Sequence, residues 1–171
     1  RFFSSVTTSY LLPTTYFTPL LAILGLFAFF GIVRRLFTER IAFFSLVLLA
    51  LHPAFWYWAS RGMMHNVLFV ALVLIGIYFL LPLPSGERVG VRVYYILAGL
   101  FIGLALLVRT FDMLLLTPVI IFLLWRKPFW SIVSFLVPIT LSIITLTNWN
   151  NILYGSPLSS AYVPPSITME L

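Results

Sequence analysis

Four ionisable side chains stand out by where they interrupt the apolar runs: Arg61 and His65, four apart, and Arg109 and Asp112, three apart. On a helix both spacings put the two side chains on one face. Arginine presents a planar fork of N–H donors that suits a phosphate, and a desolvated pocket strengthens that attraction. His65 can donate or accept a hydrogen bond, while Asp112 can orient an arginine or serve as a general base. The chemistry that fits this set is the binding of an anionic, phosphate-bearing substrate. The plainer alternative is that the basic residues end membrane spans by snorkelling, with Asp112 as the partner of Arg109.

Other chemistries lack their parts. Without cysteine the chain has no disulfide, thiolate nucleophile or Cys-based metal site. Two histidines and the scattered acids Glu39, Glu87, Asp112 and Glu170 form no ligand cluster, so a divalent metal has no support here and no cofactor is identified. No serine sits in a nucleophile elbow, and no glycine-rich phosphate loop is present. His52, inside an apolar run, reads as a helix-to-helix hydrogen bond rather than a ligand.

The elements that position these residues are membrane helices. Of 171 residues, 62% are hydrophobic and 8% charged, with a mean hydropathy of +1.12, whereas a soluble domain carries about 25% charged residues. The expected fold is all-α, a polytopic transmembrane helical bundle of about six spans in a single domain over 1–171. The spans fall near 17–33, 41–60, 67–81, 93–108, 110–125 and 129–147, with an interfacial lead-in over 1–16 and an outer loop over 148–171. Pro53 predicts a kink in the second span. Pro118 and a short length predict a fifth span that is broken or crosses a thinned layer. Gly99-x-x-x-Gly103 permits close helix approach in the fourth.

The net charge is +6, yet the basic residues stand singly or in pairs between apolar runs, without the basic stripe that nucleic acid requires. Their role is topological. Arg34, Arg35, Arg40, Arg88, Arg92, Arg126 and Lys127 occupy alternate turns, against Arg61, Arg109 and Arg1 on the other side. The first set therefore faces the cytoplasm of a multi-pass inner-membrane protein. Arg61, His65, Arg109, Asp112 and the segment after Thr147 then gather at the outer face. The chain also reads as starting and ending inside a longer protein.

One stretch carries a family likeness. Asn151-x-x-Tyr154-Gly155-Ser156-Pro157-Leu158-x-x-x-Tyr162 resembles the Asn-x-x-Phe/Tyr-Gly-Ser-Pro-Leu-x-x-Gly-Tyr segment that follows a transmembrane helix in the C-type glycosyltransferase superfamily. That superfamily includes the protein O-mannosyltransferases and the aminoarabinose transferase acting on lipid A. Leu51-x-Pro53 with Ser60-Arg61, and Gly99-Leu100-x-x-Gly103-Leu104-Ala105-x-Leu107-x-Arg109, are similar to family runs in the same order. The likeness covers about residues 20 to 162.

The resemblance implies transfer of a sugar from a polyprenyl-phosphate donor to a lipid, glycan or protein acceptor at the outer membrane face, with membrane lipids as the other partners. It also implies an acidic catalytic residue in a first outer loop, expected upstream of Arg1, so that this stretch alone would be inactive. Arg61 and Arg109 would stand near the lipid phosphate, with His65, Asp112, Asn151, Tyr154 and Tyr162 completing the substrate-binding set. Ala161 stands where the family has glycine, and His65 where it often has an acid. A transporter or permease is the alternative, since polar residues at one face with proline-broken spans also suit a gated pathway.

Overall fold

A computed structural model describes residues 2–60, 65–81, 91–125 and 127–155. These form α1 (Phe2–Leu36), α2 (Glu39–Leu51), α3 (Pro53–Ala59), α4 (His65–Leu80), α5 (Val91–Val108), α6 (Thr110–Leu124) and α7 (Phe129–Tyr154), with no strand among the described residues. Phe44, Leu48, Phe122 and Leu141 are each more than 60% exposed. In water so much bare hydrocarbon would drive aggregation, but it is the ordinary surface of a helix facing lipid.

The helices lie in the order α2, α1, α4, α5, α7, with α6 against α5. Small residues set the spacing. Gly25 of α1 meets Ala71 of α4, and Gly31 meets Tyr78, so these two helices run parallel. On α5 the Gly99-x-x-x-Gly103 pair faces α7: a Cβ on Gly99 would run into the Phe135 carbonyl, and one on Gly103 would stand 3.2 Å from Ser142 Cβ. With no hydrophobic drive between helices in lipid, such close backbone approach supplies the van der Waals contact that holds them. Between α4 and α5 lie Leu80, Ala98, Ile102 and Ala105, all buried.

Several boundaries differ from expectation. The lead-in over 1–16 is helical from Phe2, because after Arg1 it holds no charge and no glycine, and lipid-embedded helices tolerate prolines such as Pro13 and Pro19. The second span is broken rather than kinked: His52, at φ −67 and ψ 122, separates α2 from α3, which diverge by 63°. Pro53 causes this twice over, by lacking an N–H and by forcing the residue before it out of the helical region. The break orphans the Ala50 carbonyl, whose usual partner would be the Ala54 N–H, and the Trp56 indole N–H donates to it instead. His52 is exposed and serves as the joint, without a helix-to-helix bond from its side chain among the described residues.

The helix α6 runs unbroken through Pro118. At the far end, α7 continues for seven residues past the expected end at Thr147, so 148–154 is helix rather than outer loop. Asn148, Asn150 and Asn151 have weak helix propensity, but about five established turns carry the helix on until Gly155. There φ is +71, and its N–H closes on the Asn151 carbonyl at 2.9 Å, a left-handed stop that glycine adopts without strain.

Two helices are long and apolar enough to cross a bilayer, Tyr16–Leu36 of α1 and α7, and the bent pair α2 and α3 makes a third if it is one span. The helices α4, α5 and α6 have 16, 18 and 15 residues. At about 1.5 Å per residue they fall short of a hydrocarbon layer of about 30 Å. Among the described residues, length and apolarity single out two to three candidate spans of the six expected.

Candidate functional site: the Arg109 junction

Arg109 is the single extended residue between α5 and α6, at φ −147 and ψ 88. Its own N–H still bonds the Ala105 carbonyl at 3.0 Å, so it finishes one helix as the next begins. The side chain is held from two directions. Nε lies 2.8 Å from Asp112 Oδ2 in the first turn of α6, and Nη1 donates to Asn66 Oδ1 in the first turn of α4 at 2.9 Å. One guanidinium therefore ties three helix ends together.

Its remaining donors are the chemically interesting part. Of five N–H groups two are engaged among the described residues, leaving about three for a further acceptor. The Arg109 and Asp112 side chains are 38% and 33% exposed, so the pair is neither sealed in the core nor loose in solvent. Their formal charges cancel, and added positive potential comes from the N-terminus of α6, which has no side-chain cap.

Beside this junction is a cavity of about 350 Å³ between α1, α3 and α4, lined by Ala22, Leu26, Phe55, Val70 and Leu74, with His52, Trp58 and Asn66 at the polar positions. Asn66 belongs to both features: its side-chain oxygen accepts from Arg109, and the residue lines the cavity. The α2–α3 break is what gives the cavity its outer wall, since Leu49, His52 and Ala54 lie on either side of the joint.

Of the residues singled out by sequence, Arg109 and Asp112 are brought together. His65 opens α4 and is exposed, adjacent in sequence to Asn66 but turned about 100° from it around the helix axis. Asn151 and Tyr154 lie in the last turn of α7, with no hydrogen bond or ion pair to Arg109 among the described residues. The contacts of Gly99 and Gly103 put Arg109 level with about residue 145 of α7, so the helix end overtops it by roughly 13 Å. Arg61 and Tyr162 lie outside the described residues. Asn66 was missed. Its only signal was a lone amide opening a long apolar run.

Five hydroxyls of α7 bond within their own helix. Ser134, Thr140, Ser142, Thr145 and Thr147 each donate to the carbonyl one turn earlier, at 2.8 to 3.1 Å. That arrangement gives each hydroxyl a partner inside its own helix. Among the described residues no group of three His, Asp or Glu side chains is placed to hold a metal ion.

Comparison with known proteins is consistent with a transferase. No curated protein and no solved structure matches the chain. The family model described as dolichyl-phosphate-mannose-protein mannosyltransferase matches residues 1–150, which covers most of the helical bundle and both partners of Arg109. Together with the apolar helices this makes the molecule a multi-pass membrane glycosyltransferase of the mannosyltransferase kind, and the chain belongs to the dolichyl-phosphate-mannose-protein mannosyltransferase family within the C-type glycosyltransferase superfamily.

Proposed function

We propose that the Arg109 junction binds the phosphate of a polyprenyl-phosphate sugar, and that the chain serves transfer of that sugar to an acceptor at the outer face of the cytoplasmic membrane. The observation that carries this reading is the pairing of a held guanidinium with an adjoining apolar cavity through the shared residue Asn66. An amphiphile with an anionic head and a hydrocarbon tail matches both halves at once.

In the transfer, the bond from the sugar to the phosphate oxygen breaks as an acceptor hydroxyl attacks, the hydroxyl proton passes to the acidic catalytic residue that the family resemblance implies, and the polyprenyl phosphate leaves with added negative charge. Donors fixed before the reaction stabilise that charge without reorganising. Asp112 and Asn66 hold the guanidinium in place, leaving its free edge for the phosphate. With Oδ2 engaged by Arg109, Asp112 acts as an orienter rather than as the proton acceptor.

The apolar segments suit six crossings, with α4, α5 and α6 spanning where the layer is thin or where flanking residues complete them. The arginine-rich turns then face the cytoplasm. His65, Asn151, Tyr154, Arg61 and Tyr162 complete the outer face in this reading, near the sugar or the acceptor.

Membranes containing the full chain, supplied with radiolabelled polyprenyl-phosphate mannose, test the proposal. Wild type is expected to release sugar, and folded Arg109→Ala to lose about 10- to 100-fold of that rate, the worth of a charged hydrogen bond to the leaving phosphate. Undiminished release by folded Arg109→Ala would refute it.

A further inference from the structure

The opposite end of the bundle holds a larger cavity, of about 960 Å³, between α1, α4 and α5. Its walls are apolar, from Leu24 and Phe27 on α1 to Ile75 on α4 and Phe101 on α5, and Arg34 and Arg35 stand at one end of it. Arg35 is partly buried there. Nη1 donates to the Tyr78 carbonyl at 2.5 Å and the Leu81 carbonyl at 3.2 Å, and the guanidinium carbon lies 3.8 Å from the Tyr78 ring centroid. These partners are dipoles and a π face, so they cap α4 without cancelling the charge.

Among the described residues no carboxylate pairs with Arg35, and Glu39 pairs with Arg34 at 3.4 Å. The cavity mouth thus carries one uncompensated positive charge above roughly 15 Å of apolar wall, the distance along α1 from Arg34 to Leu24. Basic pockets between membrane helices take anionic lipid headgroups.

We propose that this cavity binds one anionic glycerophospholipid of the membrane, its phosphate against Arg34 and Arg35 and an acyl chain along α1 toward Leu24. A zwitterionic lipid would bring its own cation to the arginines and leave the excess charge in place. The site is independent of the donor reading, because Asn66 and Leu81 stand at opposite ends of α4, roughly 22 Å apart.

The test is native mass spectrometry of the full chain released from nanodiscs of equal phosphatidylglycerol and phosphatidylethanolamine. One phosphatidylglycerol is expected to remain bound in preference to phosphatidylethanolamine. Arg34→Gln is expected to lower its retention about fivefold, the weight of one basic residue at a headgroup. Leu24→Trp, which fills the cavity without touching charge, is expected to lower it as well, with helical circular dichroism unchanged in both. Equal retention of the two lipids, or full retention in both variants, would overturn the proposal. So would displacement of phosphatidylglycerol by excess polyprenyl phosphate, which would give the cavity to the donor. A marked rise in retention with Glu87→Gln, at a position outside the described residues, would also overturn it, by showing that the chain supplies its own counterion.

Discussion

At the scale of single residues, Asn66 carries the most information. Its side-chain oxygen holds Arg109 and the residue also lines the apolar cavity, so conservative changes there separate structure from charge. Asn66→Asp keeps the size and the contact with Arg109 but adds a second carboxylate beside it. The junction then becomes net negative, and affinity for polyprenyl phosphate is expected to fall tenfold or more, roughly what one added charge does at an effective dielectric near 20. Equilibrium binding in nanodiscs checks this, and equal affinity would mean that the phosphate sits elsewhere. Asn66→Ala instead removes a bond to a partly exposed group and is expected to cost about 1 kcal/mol of stability. Sequence alone paired Arg109 with Asp112, because three-residue spacing at the start of a helix is a local property. It could not find Asn66, which lies 43 positions away and reaches Arg109 only through the packing of α4 on α5.

At the scale of elements, the bends and contacts follow from individual prolines and glycines. The break at His52 was legible as a disturbance from Pro53, yet nothing in the sequence pairs Trp56 with the Ala50 carbonyl that the break exposes. Trp56→Phe keeps the ring and deletes the donor to the Ala50 carbonyl. It is expected to destabilise the joint by about 1 kcal/mol, visible as faster amide exchange around the α2–α3 break, and unchanged exchange would show that the indole bond is idle. The Gly99-x-x-x-Gly103 motif has its expected use, with an asymmetry that no motif shows. Gly99 abuts backbone at Phe135, whereas the nearest atom to Gly103 is the Ser142 hydroxyl, which can rotate. Gly99→Ala is therefore expected to cost about 1–3 kcal/mol, and Gly103→Ala less, in denaturant titrations from mixed micelles. The reverse order would contradict the packing of α5 on α7. The end of α7 was illegible for the opposite reason: an asparagine-rich stretch looks like loop by propensity, and only Gly155 marks where the helix stops.

At the scale of the whole molecule, the charge pattern and the helix directions agree. Parallel contacts of α1 with α4 and of α5 with α7, and the antiparallel meeting of α4 and α5, are what alternating crossings produce. They put Arg35 and Arg109 at opposite ends of the bundle. The membrane class was plain from composition, since 8% of the residues are charged where a soluble domain carries about 25%. The number of crossings was not, because hydropathy marks apolar runs without fixing how much bilayer each one spans. The donor-phosphate role of Arg109 is tested most directly by binding, apart from turnover. Full-length chain in nanodiscs would be titrated with a photoactivatable polyprenyl phosphate, comparing wild type with Arg109→Ala after both are shown to be folded. The expected result is saturable labelling of α4 and the α5–α6 junction that weakens about 10- to 100-fold in Arg109→Ala. Labelling of equal strength and position in the two proteins would contradict the phosphate site.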